Sequence, residues 1–230
     1  MSTTVDVAIQ EAQALLAAVN THAAELAERG YDGTRVAEFQ SALETALKRD
    51  SGQKGALATL NQRTEAQDIA MKQANELLAM VRNAAKSAFG KDKKILKEFR
   101  VGMQRPTTVR QMMTVMEYMT GVVQKHSSEL LLYGMSQADI DGVATAYAEL
   151  VTADALQENS KKLRNAATET RQDALTALQR EIYRLRKFAQ ARFASQPAIL
   201  QEFKRLPKAG GKRPSPQPAK TSPASAAAGA

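Results

Sequence analysis

Cysteine is missing from the 230 residues, tryptophan is missing as well, and histidine occurs only twice. Without cysteine there can be no disulfide scaffold, no thiolate-bound zinc or iron–sulfur cluster, and no thiol nucleophile. Two histidines leave little material for acid–base or nucleophilic chemistry, and no serine or threonine can be paired with either by spacing. The GKDKK run at 90–94 lacks the strand context and the Gly-Lys-Ser/Thr of a phosphate loop. No apolar run approaches the roughly 18 residues that a membrane span requires. The opening MSTTVDVAIQEAQ has neither the basic nor the apolar region of a secretory signal. A soluble cytoplasmic protein is the expectation.

Proline is scarce in a telling pattern. Five of the seven (Pro207, Pro214, Pro216, Pro218, Pro223) fall in the last 24 residues, and only Pro106 and Pro197 interrupt what precedes them. A long stretch so poor in proline and rich in Ala, Leu, Gln, Glu, Lys and Arg favours helix. Residues 204–230 are the opposite, a Lys/Arg/Pro/Ser/Ala tail with too little apolar surface to offset its ordering entropy, and are predicted to be disordered.

What is present is a unit written twice. Shifted by 104 residues, the chain aligns with itself without a gap. Val19, His22, Glu25, Leu26 and Gly30 fall on Val123, His126, Glu129, Leu130 and Gly134, and Asn61, Thr64 and Glu65 fall on Asn165, Thr168 and Glu169. FGKDKKILKEF (89–99) lies over FASQPAILQEF (193–203). The expected organisation is a helical repeat at 1–105, a second at 106–203 packed with it as one bundle, and the tail at 204–230.

Each repeat begins with a helix, at about 5–29 in the first. Ile9, Ala12, Leu16, Val19, Ala23 and Leu26 are spaced 3,4,3,4,3 as in the seam of a bundle or coiled coil. Met113, Met116, Val123 and Leu130 continue the pattern in the second copy, and Met112, Met113, Met116 and Met119 fit either core packing or an adaptable partner surface. Gly30 and Gly134 are expected to stop these helices as C-cap glycines. Asp32 or Thr34, and Ser136 with Asp139 as a capping box, start the next ones.

Those next helices are long. One opens with Val36, Phe39, Leu43 and Leu47, the other with Ile140, Val143, Tyr147 and Val151; their middles, DSGQKG and DALQENSKK, are polar. Gly52 and Gly55 raise the question of a kink near 50–56. Phe89, Phe99, Phe193 and Phe203 are read as hydrophobic closure of the bundle ends. The fold class is all-α, an antiparallel up-and-down bundle from a tandem duplication.

Gly134 followed by MSQADI, Phe89-Gly90-Lys91-Asp92 with Leu96 and Phe99, and Phe193 with Leu200 and Phe203 make up an F-G-x-D-x-x-x-L-x-x-F closing pattern before a basic Pro/Ala-rich tail. With it the chain resembles a broad set of uncharacterised bacterial helical-bundle proteins of about this length. In that set the closing motif usually ends Phe-Gly, whereas here Arg100 and Lys204 hold that last position and Ala194 stands for Gly90. The resemblance implies a helical bundle and carries no assigned activity.

His22 with Glu25, and His126 with Glu129, share a helix face at i,i+3, and carboxylate–imidazole sets on facing helices hold metals in bundles. Glu65 and Glu169 could complete such a set. The usual order is the reverse, Glu-x-x-His, and both histidines lie near a helix C-terminus, where imidazole stabilises the helix dipole. A dipole or surface role is therefore preferred, and no metal or cofactor is expected. Asn61, Thr64, Glu65 and their counterparts fit either a buried polar layer or a solvent-facing stripe.

The charge of +8 is concentrated. Residues 204–230 carry six basic groups and no acidic one; 91–110 carry seven basic and two acidic, which leaves the remainder at −3. The chain is read as a non-enzymatic scaffold or protein-interaction module with an unidentified protein partner and possible self-association. A first alternative is sequence-nonspecific nucleic-acid association through Lys204, Arg205, Lys208, Lys212, Arg213 and Lys220, with Lys91, Lys93 and Lys94. A bundle metalloprotein is the second.

Overall fold

A computed structural model describes residues 4–204. Among the described residues there are eight helices and no strand: α1 (Thr4–Thr21), α2 (Ala23–Glu28), α3 (Gly33–Phe89), α4 (Lys93–Glu98), α5 (Val109–Lys125), α6 (Ser127–Leu132), α7 (Gln137–Arg192) and α8 (Pro197–Glu202). The protein is all-α, as its composition predicts. The tail beyond Lys204, with its predicted disorder and with Arg205, Lys208, Lys212, Arg213 and Lys220, lies outside the described residues.

The long helices are continuous. α3 has 57 residues and α7 has 56, each about 85 Å at 1.5 Å per residue. Gly52 and Gly55 sit within α3 and do not interrupt it. Its start is capped by Asp32, whose carboxylate accepts from the Arg35 N–H at 3.1 Å. At the start of α7, Ser136 and Asp139 form the reciprocal capping box. The Asp139 carboxylate accepts from the Ser136 N–H and Oγ at 2.8 and 2.7 Å, and Ser136 Oγ accepts from the Asp139 N–H at 3.2 Å. Gly30 and Gly134 have φ of +92° and +98°. Past them, the Tyr31 and Met135 N–H groups reach back to the Leu26 and Leu130 carbonyls. This is the Schellman closure, which places glycine in the left-handed position.

The expected first helix at about 5–29 is corrected. It is interrupted at His22, and its counterpart is interrupted at His126, with φ/ψ of −109°/29° and −111°/23°. The interruption changes the helix phase, so Ala23, expected in the seam, is exposed while Leu26 is fully buried.

Two compact units are present. Among described residues, a terminal unit comprises 4–39 and 180–204, and a central unit comprises 40–179. In the terminal unit Ala12, Leu15, Val19, Leu26, Leu185 and Phe193 are almost wholly buried. In the central unit the core joins the second half of α3, α4, α5, α6 and the first part of α7 through Leu78, Val81, Phe99, Met112, Met116, Met119, Leu130, Ile140 and Leu150. The methionines at 112, 116 and 119 are therefore core residues.

Inside the central unit α3 and α7 run antiparallel. Asp50 bonds Arg171, and Gln67 bonds Asp154, so a rise of 17 positions along one helix matches a fall of 17 along the other. The buried line on α3 passes through Phe39, Leu43, Ala46 and Asp50, spaced 4,3,4. Leu47 and Val151, expected among the apolar openings, are 41% and 39% exposed, while Ala46 and Leu150 are buried instead. That line carries the seam into a polar stretch. Asp50 is 6% exposed, held by Arg171 Nε and Lys54 Nζ, each at 2.7 Å. Gln67 Nε2 donates to Asp154 at 2.7 Å, and Gln157 Nε2 lies 3.5 Å from Thr64 Oγ1.

Two outcomes follow from this architecture. Gly52 and Gly55 are exposed, and a Cβ at either position would meet nothing within 4 Å. Replacing both by alanine should raise stability by about 1 kcal/mol each, read from denaturant midpoints; unchanged or lower midpoints would show that helix propensity does not limit this stretch. Asp50 is held below the ordinary aspartate range chiefly by the Lys54 hydrogen bond, with burial opposing and Arg171 adding to the effect. A carboxyl with a depressed folded pKa stabilises the fold above its unfolded pKa of about 3.9, and this contribution disappears as pH falls through the folded value. Asp50→Asn should cost about 1–3 kcal/mol at pH 7, and the gap from wild type should narrow below about pH 4. A gap independent of pH would contradict this.

Candidate functional site

The residue types with chemical potential gather in two clusters, one in each unit. In the terminal unit His22 Nε2 lies 3.2 Å from Glu202, and its ring is 6.4 Å from that of Phe203. Phe203 stacks on Phe193, with centroids 6.1 Å apart and planes at 8°. Arg29 lies 4.8 Å above the Phe193 ring, donates to the Arg192 carbonyl, and reaches Gln196 at 3.3 Å.

The central unit repeats the arrangement 104 positions away. His126 Nε2 lies 3.1 Å from Glu98, and its ring meets Phe89 edge-on at 5.3 Å and Phe99 at 5.5 Å. Phe89 stacks on Phe99 at 5.8 Å. Lys125 also bonds Glu98, at 2.8 Å. Lys125 first and His126 second hold the Glu98 carboxyl below its usual range.

These contacts correct the expected place of the histidines. Neither is a surface group: their side chains are 13% and 11% exposed. Each imidazole fills a slot beside paired phenylalanines and turns its polar edge to a carboxylate on the short helix that follows a long one, Glu202 of α8 for His22 and Glu98 of α4 for His126. The local sequence explains how that carboxylate arrives. Asp92 caps α4 by accepting from the Lys94 and Ile95 N–H groups at 2.9 and 3.2 Å, and Pro197 sits in the first turn of α8. A one-and-a-half-turn helix then delivers Glu98 or Glu202 to the imidazole and Phe99 or Phe203 to the core.

Glu25 and Glu129 are not the histidines' partners in these contacts. One imidazole and one carboxylate make two donors, and among the described residues no group of three His, Cys, Asp or Glu is placed to hold a metal. Asn61, Glu65, Asn165, Thr168 and Glu169 face solvent, whereas Thr64 is half-buried. The polar layer instead uses Asp50, Asp154, Gln157 and Ser160 from the polar middles DSGQKG and DALQENSKK, together with Gln67 and Arg171 from beyond them. Following the 3,4 spacing past Leu43 would have found it.

No family model, curated protein or solved structure matches the chain. Geometry therefore carries the functional reading. An open groove of about 330 Å³ between α3 and α7 in the central unit is walled by Ala66, Ala148, Ala153 and Leu156, with Arg63 and Glu149 contributing charge. Tyr31, buried against Phe188 at 5.2 Å, has its phenol pushed up to about 12, chiefly by burial and next by the Glu181 charge. It packs as an aromatic side chain and does not offer an accessible proton.

Among the predicted nucleic-acid contacts, Lys91, Lys93, Lys94 and Lys204 are described and exposed. No helix of the described residues is long and apolar enough to cross a membrane.

Arg100 provides a test of the closing turn. Its φ is +53°, and the Val101 N–H bonds the Leu96 carbonyl at 3.0 Å across it. An arginine thus holds the left-handed position that glycine fills after α2 and α6. Its guanidinium lies 5.0 Å from the Tyr118 ring, an exposed contact worth about 0.5 kcal/mol. Arg100→Gly should be more stable than Arg100→Ala by about 1 kcal/mol and no less stable than wild type. Equal stability of the glycine and alanine variants in urea unfolding would refute strain at this turn.

Proposed function

We propose that the chain is a cytoplasmic, non-enzymatic helical scaffold or protein-interaction module. It is built by tandem duplication of a unit of about 104 residues, and its contacts are made by the basic segments 91–110 and 204–230. The observation that carries this reading is how the charges are used. His22, His126, Asp50, Glu98 and Arg171 are engaged in pairs that hold helices together. Lys91, Lys93, Lys94 and Lys97 are exposed, and no ion pair involves them among the described residues.

Chemical cross-linking of the full chain in its source cells tests the reading. Cross-links to a partner macromolecule should concentrate on lysines of 91–110 and 204–220, and glutamine at Lys91, Lys93 and Lys94 should reduce their yield severalfold. Cross-links spread evenly along both long helices would sink it.

A second reading is favoured by one feature, six basic groups without an acidic one in 204–230. It is a sequence-nonspecific nucleic-acid-associated protein. Six phosphate contacts imply a slope of about −5 for log affinity against log salt on duplex DNA. Removing 204–230 should abolish the binding; no binding of the full chain at low salt would eliminate this reading.

A further inference from the structure

The corner between α6 and α7 is closed like the corner between α2 and α3, yet its side chains differ in kind. α6 runs out through Leu131, Leu132 and its C-cap Tyr133, which are 42%, 82% and 52% exposed, while Leu130 beneath them is fully buried. Three consecutive apolar side chains are therefore exposed at one corner of the central unit. The α3–α4 turn lies beside it. Phe89 ends α3 and touches His126, the residue from which α6 starts, and Glu98 of α4 bonds both His126 and Lys125. On that turn and on α4, Lys91, Lys93, Lys94 and Lys97 are all exposed.

The carboxylates on that turn and helix do not outnumber these lysines, because Asp92 and Glu98 against Lys91, Lys93, Lys94 and Lys97 leave a net of +2. Asp92 is occupied with the Lys94 and Ile95 N–H groups, and Glu98 with Lys125 and His126. Also exposed are Glu129 on α6 and Asp141 near the start of α7. At the positions 104 away the terminal unit has Ala27, Glu28 and Arg29 in place of the apolar trio, and Ser195, Pro197, Ala198 and Gln201 in place of the four lysines. The corner closes equally well with those polar and neutral residues. Neither the apolar trio nor the lysines are therefore required by the fold, and both occur together on one corner only.

We propose that this corner is a docking tip for an anionic lipid surface. Leu132 and Tyr133 enter the interfacial layer, with Leu131 at its edge, while Lys91, Lys93, Lys94 and Lys97 meet the headgroup phosphates. The apolar projections bury on contact, the lysines are drawn to a negatively charged leaflet, and the tyrosine keeps its hydroxyl at the water boundary. The small apolar area favours lipid over a protein partner. A stable protein interface covers about 800 Å² on each side, whereas the exposed apolar part here is three side chains. Nucleic acid would use the lysines but gives no role to Leu132. The proposal deepens the scaffold reading and rests on it, supplying a partner class for segment 91–110.

Flotation of the full chain with vesicles tests it, using phosphatidylglycerol mixed into phosphatidylcholine against phosphatidylcholine alone. The chain should float with the anionic vesicles and remain behind with the neutral ones. Leu132→Ser with Tyr133→Ser should weaken binding about tenfold. Glutamine at Lys91, Lys93, Lys94 and Lys97 should weaken it comparably, and removal of 205–230 should change it little. Because these side chains are exposed, circular dichroism of each variant should match the wild type. The chain has no tryptophan, so Leu132→Trp gives a single tryptophan whose selectively excited emission should shift to the blue on adding anionic vesicles. The proposal is overturned by failure to float with anionic vesicles, by undiminished binding of the Leu132/Tyr133 variant, or by binding that vanishes with the tail. None of those results alters the cross-linking pattern on which the scaffold reading stands.

Discussion

The register between α3 and α7 is the constraint on which the central unit depends. Two antiparallel helices with apolar residues at 3,4 spacing can slide by seven residues and still present apolar side chains to each other. The polar layer removes that freedom. In the observed register Asp50 faces Arg171 and Asp154 faces Gln67. A slip of one heptad in one direction would bring Asp50 opposite Leu178, and a slip in the other would bring Asp154 opposite Leu60. Each leaves a carboxylate against a leucine, which costs several kcal/mol when the charge is buried without a partner. Replacing the whole layer by apolar residues would retain attraction between the helices and lose this selection. The layer therefore defines alignment more than it adds stability.

Equivalent positions in the two halves carry related but unequal chemistry. Asp50 is matched by Asp154, yet its partner Arg171 is matched by Gln67, so a doubly charged pair on one side is a charge–amide contact on the other. His22 with Glu202 and His126 with Glu98 are the same pair, but among the described residues only Glu98 is also bound by a lysine. Arg186 pairs with Glu11 and donates to the Phe203 carbonyl at 3.2 Å. Its counterpart Arg82 has Val115 where Arg186 has Glu11. It reaches only the Met103 carbonyl, at 3.4 Å, and burial together with nearby Arg100 lowers its pKa. Geometry common to both halves is built from backbone caps and phenylalanines, and the differences fall on the charged residues around them.

That division also explains what could be read in advance. Gly30, Gly134, Ser136 with Asp139, and the four phenylalanines act through local backbone chemistry or through burial, and a single sequence displays both. The pairing of His22 and His126 was not legible, because each partner carboxylate comes from a distant helix, about 180 positions on for His22 and 28 back for His126. Leu47 is expected on the apolar line, yet Ala46 occupies it. Leucine outranks alanine on any hydropathy argument, but the phase set by Phe39 and Leu43 puts the smaller side chain at the contact. Asp50 follows from that phase, four positions after Ala46.

Burial along α3 also indicates where the long helix pair should open first. From Ala70 to Ala85 it contributes Ala74, Leu78 and Val81 to a core shared with α5 and α7. Between Asp50 and Gln67 only Gln53, Ala56, Leu60 and Thr64 are even half-buried, while Leu57 is 39% exposed, and the facing stretch of α7 buries Gln157 and Ser160. Local opening free energy follows the apolar area removed from water and the exposure of the backbone hydrogen bonds. Both are unfavourable in this stretch, and Gly52 and Gly55 add the entropy of glycine within a helix. The same polar residues that select the register therefore leave their own segment the least protected part of the pair. Amide exchange should proceed outward from residues 51–66 of α3, while the amides around Leu78 and Leu150 exchange only when the unit as a whole unfolds.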